Sequence, residues 1–273
     1  MPLATVVADI APLMEEPSNE SFRLDEMLCG MLLQVLDTRV PGWCYVRSEY
    51  GIEGYVSGDC LNLNADVAAG WKKYKKQVVL ASYIDVLGAD YSDAPRIASV
   101  PRGGVLVALP KPPGSPWQKV GLPSGQKGFT RPSYLAEAIA DWGAVSEEDM
   151  RWNLVETALS YNGTAYRVGG RTPLGIDSVG LVYMTYLLNG VLLEQSLSFI
   201  PGAALRRIRF DGMKEGDVIY FERTLGIYIG ENRFAHATEF PGNEGVVVSS
   251  LIKDDADYRE DLAEGIVCVA SLY

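Results

Sequence analysis

Ser178 and His236, the only histidine of the chain, are the residues in the second half of the sequence that could support nucleophilic chemistry. Ser178 opens an apolar run over residues 178–188 that closes at Gly190, which predicts a helix with Ser178 at its N-terminus. A helix N-terminus favours an anionic nucleophile, but a serine hydroxyl also needs a base to remove its proton. The plainer interpretation is that Ser178 caps a core helix and that His236 is a satisfied core histidine.

The cysteines do not form a metal-binding pattern. Cys29, Cys44, Cys60 and Cys268 lack any CxxC spacing, and the single histidine leaves few soft ligands for zinc. We therefore predict no metal and no cofactor. A disulfide among the first three is an alternative, but free buried thiols are the favoured prediction for a chain without a leader.

Composition excludes several classes of partner. With 273 residues and 48% hydrophobic content, the chain can form two domains or three small ones. Its net charge of −11 repels nucleic-acid phosphates and anionic membranes, so neither is an expected partner. The lysine-rich run over residues 71–76 is interpreted as a solvated linker.

The N-terminal residues carry no targeting signal that we recognise. Residues 1–30 lack a basic start followed by an apolar run, and no stretch of 18 uninterrupted apolar residues occurs. If Met1 is the natural first residue, we expect a cytoplasmic protein; if a leader has been removed, we expect an exported or cell-envelope protein.

The first half of the chain contains an internal repeat. An offset of 74 residues needs no gap between residues 30 and 61 and superposes several glycine, aromatic and apolar positions. The matched pairs are Gly30 with Gly104, Trp43 with Trp117, Val46 with Val120, Gly54 with Gly128, Tyr55 with Phe129 and Leu61 with Leu135. Each copy consists of short β-branched and aromatic runs cut by turn residues, which predicts two small β-barrels.

The order of an early strand, a glycine before a strand, a Trp-x-x-Val strand and a Gly-Tyr or Gly-Phe strand resembles the bacterial SH3-like (SH3b) domain. The resemblance covers residues 3–65 and 77–137 and implies modules that bind cell-wall peptide or wall a catalytic groove. For Trp43, Trp117, Tyr55 and Phe129, a role in the core is at least as well supported.

After residue 146 the pattern becomes helical and then strand-rich. Ser146 followed by acidic residues predicts a helix over 147–161, and later apolar runs predict strands over 216–221, 245–251 and 265–270. Several motifs follow one another in a fixed order. They are Tyr166, Gly169-Gly170, Gly175-Ile176-Asp177-Ser178-Val179-Gly180-Leu181-Val182, Gly216-Asp217-Val218-Ile219-Tyr220-Phe221, Thr224-Leu225-Gly226-Ile227-Tyr228-Ile229-Gly230 and Phe234-Ala235-His236-Ala237.

Together these motifs resemble the NlpC-type papain-like peptidases, which hydrolyse γ-D-glutamyl bonds of murein peptides. The resemblance implies that Ser178 stands where that family has its nucleophilic cysteine, that Thr224 stands where it has its histidine base, and that His236 is the third, imidazole-orienting member. A thiolate and an imidazolium perform the reaction, and neither serine nor threonine can replace them in those roles. Ordinary turnover is therefore predicted to be lost.

Among such peptidases with two SH3-like domains ahead of the peptidase domain, the chain resembles the γ-D-glutamyl dipeptidyl-peptidases. Those enzymes require a free N-terminal L-alanine on the substrate. That resemblance implies Tyr166, Asp177 and Val179 as substrate-binding positions, although Val179 departs from the serine of the family motif. A further acidic residue of those enzymes is not preserved in the segment 193–196, where Glu194 is the nearest substitute.

The predicted architecture is multi-domain: two small SH3-like β-barrels over 1–68 and 77–138, followed by an α+β papain-like NlpC-type domain over 146–273. The predicted function is that of a catalytically inactive homologue of murein-peptide cysteine peptidases, binding a cell-wall-derived peptide or a protein partner. The alternative is residual or altered peptide hydrolysis with Ser178 as nucleophile and a recruited base such as His236. A third is a structural protein with a filled groove.

Overall fold

A computed structural model describes residues 2–111, 113–139, 141–194, 196–201 and 203–273. The chain divides into two compact units, Met1–Ala138 and Ile139–Tyr273. The first unit contains both copies of the repeat, and the second contains the segment with the predicted catalytic motifs. The finer domain bounds stay a prediction.

The first unit consists of two antiparallel sheets with the same strand order. The first sheet runs β3-β2-β6-β5-β4-β1-β7, and the second runs β10-β9-β13-β12-β11-β8-β14, so each strand has its counterpart seven strands later. The strands of the first copy are β1 Leu3–Val6, β2 Ile10–Met14, β3 Arg23–Leu28, β4 Leu32–Asp37, β5 Trp43–Arg47, β6 Glu53–Ser57 and β7 Leu61–Asn62. Helix α1, Ala65–Lys73, follows them. The strands of the second copy are β8 Lys76–Val79, β9 Tyr83–Leu87, β10 Arg96–Pro101, β11 Val105–Ala108, β12 Gln118–Gly121, β13 Lys127–Thr130 and β14 Leu135–Glu137.

One repeated glycine shows why the copies share a sequence pattern. A Cβ on Gly54 would lie 2.8 Å from the Met14 carbonyl oxygen, and a Cβ on Gly128 would lie 2.6 Å from the Leu87 carbonyl oxygen. In both copies the glycine therefore lets the sixth strand approach the second strand closely. Shared order and shared packing confirm the predicted repeat.

Within the described strands, the two end strands of each sheet do not pair, so neither sheet closes into a barrel. The assignment to SH3-like barrels accordingly stays a prediction. Of the four repeated aromatics, Trp117 is buried and packs with Leu87, whereas Trp43, Tyr55 and Phe129 are half-buried.

The two copies contact each other inside the first unit. The Val105 amide donates to the Cys29 carbonyl at 2.8 Å, and Cys29 belongs to the same apolar cluster as Val79 and Ile84. Burial, with a smaller contribution from Asp9, raises the pKa of the Cys29 thiol to about 12, so this thiol stays protonated at neutral pH.

The lysine-rich run is not a solvated linker throughout. Trp71 is buried at the end of α1, where its indole Nε1 donates to the Gly30 carbonyl at 2.9 Å. The Lys76 ammonium lies 4.6 Å from the centre of the Trp71 ring. Tertiary packing of Trp71 and Lys76 therefore corrects the linker interpretation, while Lys72 and Lys73 are exposed as expected.

The second unit places helices on an antiparallel sheet of order β17-β22-β18-β19-β20-β21. Its helices are α2 Glu147–Leu159, α3 Ser178–Leu187 and α4 Glu260–Glu264. Its strands are β15 Arg171–Thr172, β16 Gly175–Ile176, β17 Arg206–Ile208, β18 Val218–Phe221, β19 Leu225–Gly230, β20 Arg233–Thr238, β21 Gly245–Ser250 and β22 Ile266–Ser271. Helix α3 packs on β19, β20 and α2.

Local signals in the sequence account for both long helices of this unit. Ser146 caps α2 by accepting from the Asp149 amide at 3.1 Å, as predicted. Met150, Leu154 and Ala158 form the buried face of α2. Gly190, three residues after the end of α3, adopts φ +79 and donates its amide to the Leu187 carbonyl at 3.0 Å, which confirms its predicted role in ending that helix.

All four cysteines are free thiols, as favoured from the sequence. In the described ranges, no group of three or more His, Cys, Asp or Glu side chains is arranged to hold a metal ion. Among the helices of the same ranges, none has the length and hydropathy of a membrane span.

Candidate functional site

The N-terminus of α3 is held by Asp177. One carboxylate oxygen, Oδ1, accepts from the Gly180 amide at 2.7 Å, and the other, Oδ2, accepts from the Gly169 amide at 2.7 Å. Burial raises the pKa of Asp177 above its ordinary value, whereas these backbone amides and the charge of Arg171 act in the opposite direction. Both oxygens are thus engaged in capping the helix and anchoring the preceding turn.

Two motif glycines allow α3 to lie against that turn. A Cβ on Gly180 would lie 2.2 Å from the Gly170 carbonyl oxygen, and a Cβ on Gly170 would lie 2.4 Å from the Gly175 carbonyl oxygen. Contacts this short are incompatible with any side chain. The glycines of the motif are therefore required by packing, independently of catalysis.

Ser178 is the first residue of α3 and is 6% exposed. Of the residues that the structure describes, none forms a hydrogen bond with its hydroxyl. Val179 is half-buried, and its backbone amide is one of the groups that lower the pKa of the Asp177 carboxyl against the effect of burial. The structure thus keeps the predicted nucleophile position at a helix N-terminus, and its role stays a prediction.

Tyr166 lies beside this helix start. It forms a bridge with Ile176, and its side chain is half-buried. Burial raises the pKa of Tyr166, with further contributions from the carboxylates of Asp177 and Glu239. Three predicted positions, Tyr166, Asp177 and Ser178, are therefore neighbours, while their role in ligand binding stays a prediction.

His236 lies in the middle of β20 and is fully buried. Its Nε2 and the Ser249 hydroxyl are 3.0 Å apart, across the β20–β21 pair. Its Nδ1 is also buried and has no hydrogen-bond partner among the described residues. Burial, reinforced by the charge of Arg259, lowers the pKa of His236 from 6.5 to about 4, so the ring is neutral at pH 7.

Thr224 lies immediately before β19, and its carbonyl accepts from the Phe221 amide at 3.0 Å. Ile227 faces Ala235 in the β19–β20 register, so strand alternation places Thr224 on the same face of the sheet as His236. No hydrogen bond joins the two side chains in the described part of the chain. The expectation that His236 is a satisfied core histidine is wrong for its Nδ1, because this buried nitrogen has no hydrogen-bond partner among the described residues.

The Gly-Asp motif before β18 has a structural role. Arg151 of α2 donates from a terminal guanidinium nitrogen to Asp217 at 2.9 Å and to the Glu215 carbonyl at 2.7 Å. Asp217 is 1% exposed, so its charge is neutralised by a nearly buried ion pair. Gly216 adopts φ +83, which favours glycine at that turn.

Comparison with known proteins places the chain in a family. Residues 163–257 match the NlpC/P60 family. Over 272 residues, the chain is 35% identical to dipeptidyl-peptidase 6 of Lysinibacillus sphaericus, with 99% of each chain covered. The chain belongs to the NlpC/P60 family. Over 113 residues, it is also 30% identical to a murein DD-endopeptidase/LD-carboxypeptidase, MepS, of Escherichia coli K12, covering 39% of this chain and 58% of that protein.

Solved structures of NlpC/P60 proteins share the fold. A family member from Bacillus cereus superposes with a TM-score of 0.76 at 16% identity and covers 98% of both chains. An NlpC/P60 endopeptidase from Photobacterium damselae gives a TM-score of 0.63 at 14% identity, covering 99% of this chain and 70% of that one. At these identities the likeness concerns the fold alone.

Two residues of this NlpC/P60 site were not predicted. Ser249 has no motif of its own and meets His236 only through the register of β20 and β21. Arg171 is fully buried with its guanidinium 4.0 Å from the centre of the Tyr183 ring, and its position directly after the glycine pair was the one available signal. In the segment 193–196, Glu194 is exposed and Gln195 lies outside the described residues.

Proposed function

We propose that this chain is a non-hydrolysing member of the NlpC/P60 family that binds a murein-derived peptide, or a protein segment of similar shape, at the start of α3. The observation that carries the proposal is the presence of Ser178 and Thr224 at the positions that the family motif assigns to a cysteine and a histidine. The two SH3-like repeats form part of the same proposal, as accessory modules.

The electrostatics of the site support a loss of turnover. A helix N-terminus can lower the pKa of a thiol into the neutral range, but a serine hydroxyl at the same place stays protonated without a base. The Thr224 hydroxyl cannot act as that base at neutral pH.

The alternative of hydrolysis through Ser178 would require His236 as the recruited base. Its Nε2 is already bonded to the Ser249 hydroxyl, and its lowered pKa makes it a weak proton acceptor. Its Nδ1 has no orienting carboxylate among the described residues, unlike the histidine of a serine-hydrolase triad. These contacts favour binding without turnover.

Retention of the helix start supports binding. Asp177 and the motif glycines still fix the turn before α3, and Tyr166 still presents a phenol beside it. The curated relatives include a dipeptidyl-peptidase and a murein endopeptidase, which makes a murein peptide the first ligand to examine.

Calorimetric titration with a peptide that contains L-Ala-γ-D-Glu tests the proposal. We expect saturable heat in the wild type, and an affinity about tenfold lower in Tyr166→Ala. Tyr91→Ala is the matched control, because Tyr91 is an exposed tyrosine in the first unit. Heat-silent mixing at millimolar peptide would refute binding of a small murein peptide.

The converse experiment restores the chemistry. In Ser178→Cys combined with Thr224→His, we expect cleavage of the same peptide, because the thiol then sits at the helix N-terminus with an imidazole on the face that His236 occupies. Each single variant is the control and should remain inactive. An inactive but folded double variant would show that the loss extends beyond these two residues.

A further inference from the structure

The large sheet of the second unit has two end strands, β21 and β17, whose outer edges differ. At β21, the Val246 amide donates to the Thr164 carbonyl at 2.8 Å, and the Ser250 amide donates to the Asp257 carbonyl at 3.1 Å. Loop segments therefore cover that edge near both of its ends. At β17, none of the described residues forms a backbone hydrogen bond with the outer edge.

The hydrogen-bonding pattern of the sheet decides which backbone groups of β17 point outward. Along β18, residues that bond with β19 alternate with residues that bond with β22, and the Phe221 amide, which donates to the Thr224 carbonyl, fixes this alternation. It assigns Val218, and with it Ala270, to the bonds between β18 and β22. The two neighbours of Ala270 in β22 consequently bond with β17, and the residue of β17 opposite Ala270 does not. That residue is Arg207, so its N–H and C=O groups point away from the sheet.

A groove of about 770 Å³ lies beside Arg207, which is within the size range of small-ligand pockets. Its described lining includes Phe210 and Val267, which are 51% and 57% exposed and supply apolar surface. Asp211 is the one carboxylate among these described lining residues, and it is paired with Arg209 at 2.7 Å. The Arg207 guanidinium donates to the Val267 carbonyl at 3.4 Å but forms no ion pair in the described part of the chain. The groove therefore carries an excess of positive charge.

A second arginine adds to that charge. Arg206 is exposed on the same strand and forms no ion pair with a described residue. Two unpaired guanidinium groups thus make this edge positive although the chain has a net charge of −11. Like charges repel the same edge of a second copy, which argues against strand pairing between two copies. They attract carboxylates, which a guanidinium can bind through two parallel hydrogen bonds.

We propose that the outer edge of β17 binds an extended acidic segment of another protein, which adds to the sheet as a further strand. The backbone of the segment bonds with the N–H and C=O groups of Arg207, and its carboxylates pair with the guanidinium groups of Arg206 and Arg207. An apolar side chain of the segment contacts Phe210 and Val267. The site is independent of Ser178 and of the proposed function.

Amide chemical shifts of the full chain in a titration with acetyl-Glu-Val-Glu-amide test the proposal. We expect saturable shifts centred on the Arg207 and Phe210 amides, with a Kd of about 1 mM. Acetyl-Gln-Val-Gln-amide should bind at least about threefold more weakly, because it lacks the carboxylates. The acidic peptide methylated at all three backbone nitrogens should bind at least about tenfold more weakly, because it has lost the donors that a strand needs.

Each comparison can overturn the proposal. No saturable shift at about 10 mM of the acidic peptide would exclude the site. Equal binding of the glutamine peptide would mean that the arginines only keep the edge unpaired. Equal binding of the methylated peptide would exclude strand addition.

Matched variants separate the edge from the overall charge of the chain. Arg207→Glu should weaken binding of the acidic peptide about tenfold, and Arg206→Glu about fivefold. Arg223→Glu makes the same charge change at an exposed position in the turn between β18 and β19 and should leave binding unchanged. Equal weakening by Arg207→Glu and Arg223→Glu would overturn the proposal, and Arg206→Glu takes the place of Arg207→Glu in this comparison if the latter does not fold.

Discussion

His236 makes the second unit sensitive to acid by an amount that can be worked out from its surroundings. Burial lowers its pKa from the ordinary value of 6.5 to about 4. The unfolded chain therefore binds a proton at higher pH than the folded chain does, and acid favours unfolding. The stabilisation is fully present above pH 6.5, falls as the pH approaches 4, and amounts to about 3 kcal/mol.

Amide hydrogen exchange of β20 and β21 provides the assay, because it reports on the second unit alone. We compare wild type with His236→Gln, which keeps a hydrogen-bonding side chain next to Ser249 but does not titrate. Between about pH 7 and about pH 4, the wild type should lose about 3 kcal/mol more opening free energy than the variant, since the other titrating groups cancel in the difference. Equal losses in the two proteins would refute the reasoning about His236.

Two further predictions concern the packing of the same unit. Arg151→Met should destabilise it by about 3 kcal/mol in thermal unfolding, because Asp217 would be left buried without its cation, whereas Arg209→Met removes an exposed pair and should change stability by less than about 0.5 kcal/mol. Gly180→Ala should cost about 3 kcal/mol, because its Cβ would lie 2.2 Å from a carbonyl oxygen; Gly212→Ala meets no neighbour and should be near neutral. Stability losses equal to those of the controls would contradict the corresponding contacts.

The elements that sequence patterns predicted best are those with strong local signals. Ser146 and Gly190 marked a helix start and a helix end correctly because caps depend on neighbouring residues. The repeat was visible because Gly54 and Gly128 meet the same steric requirement in each copy. Strand β17 was missed because its three residues include two exposed arginines and have no apolar alternation.

Tertiary contacts explain what could not be predicted. The burial of Trp71 depends on Gly30, 41 residues away, so the lysine-rich run resembled a linker. The pairing of His236 with Ser249 depends on the register of two strands, which neither residue type reveals. Ser178 and Thr224 were assigned only through the motifs around them, in which Gly170 and Gly180 are required by packing. The roles of the two positions stay a prediction.

Incubation of the purified protein with a peptide containing L-Ala-γ-D-Glu, followed by mass-spectrometric detection of products, tests the central claim most directly. We predict that the peptide remains intact, because none of the described residues forms a hydrogen bond with the Ser178 hydroxyl and His236 is bonded to Ser249. Release of a dipeptide that Ser178→Ala abolishes would contradict the account.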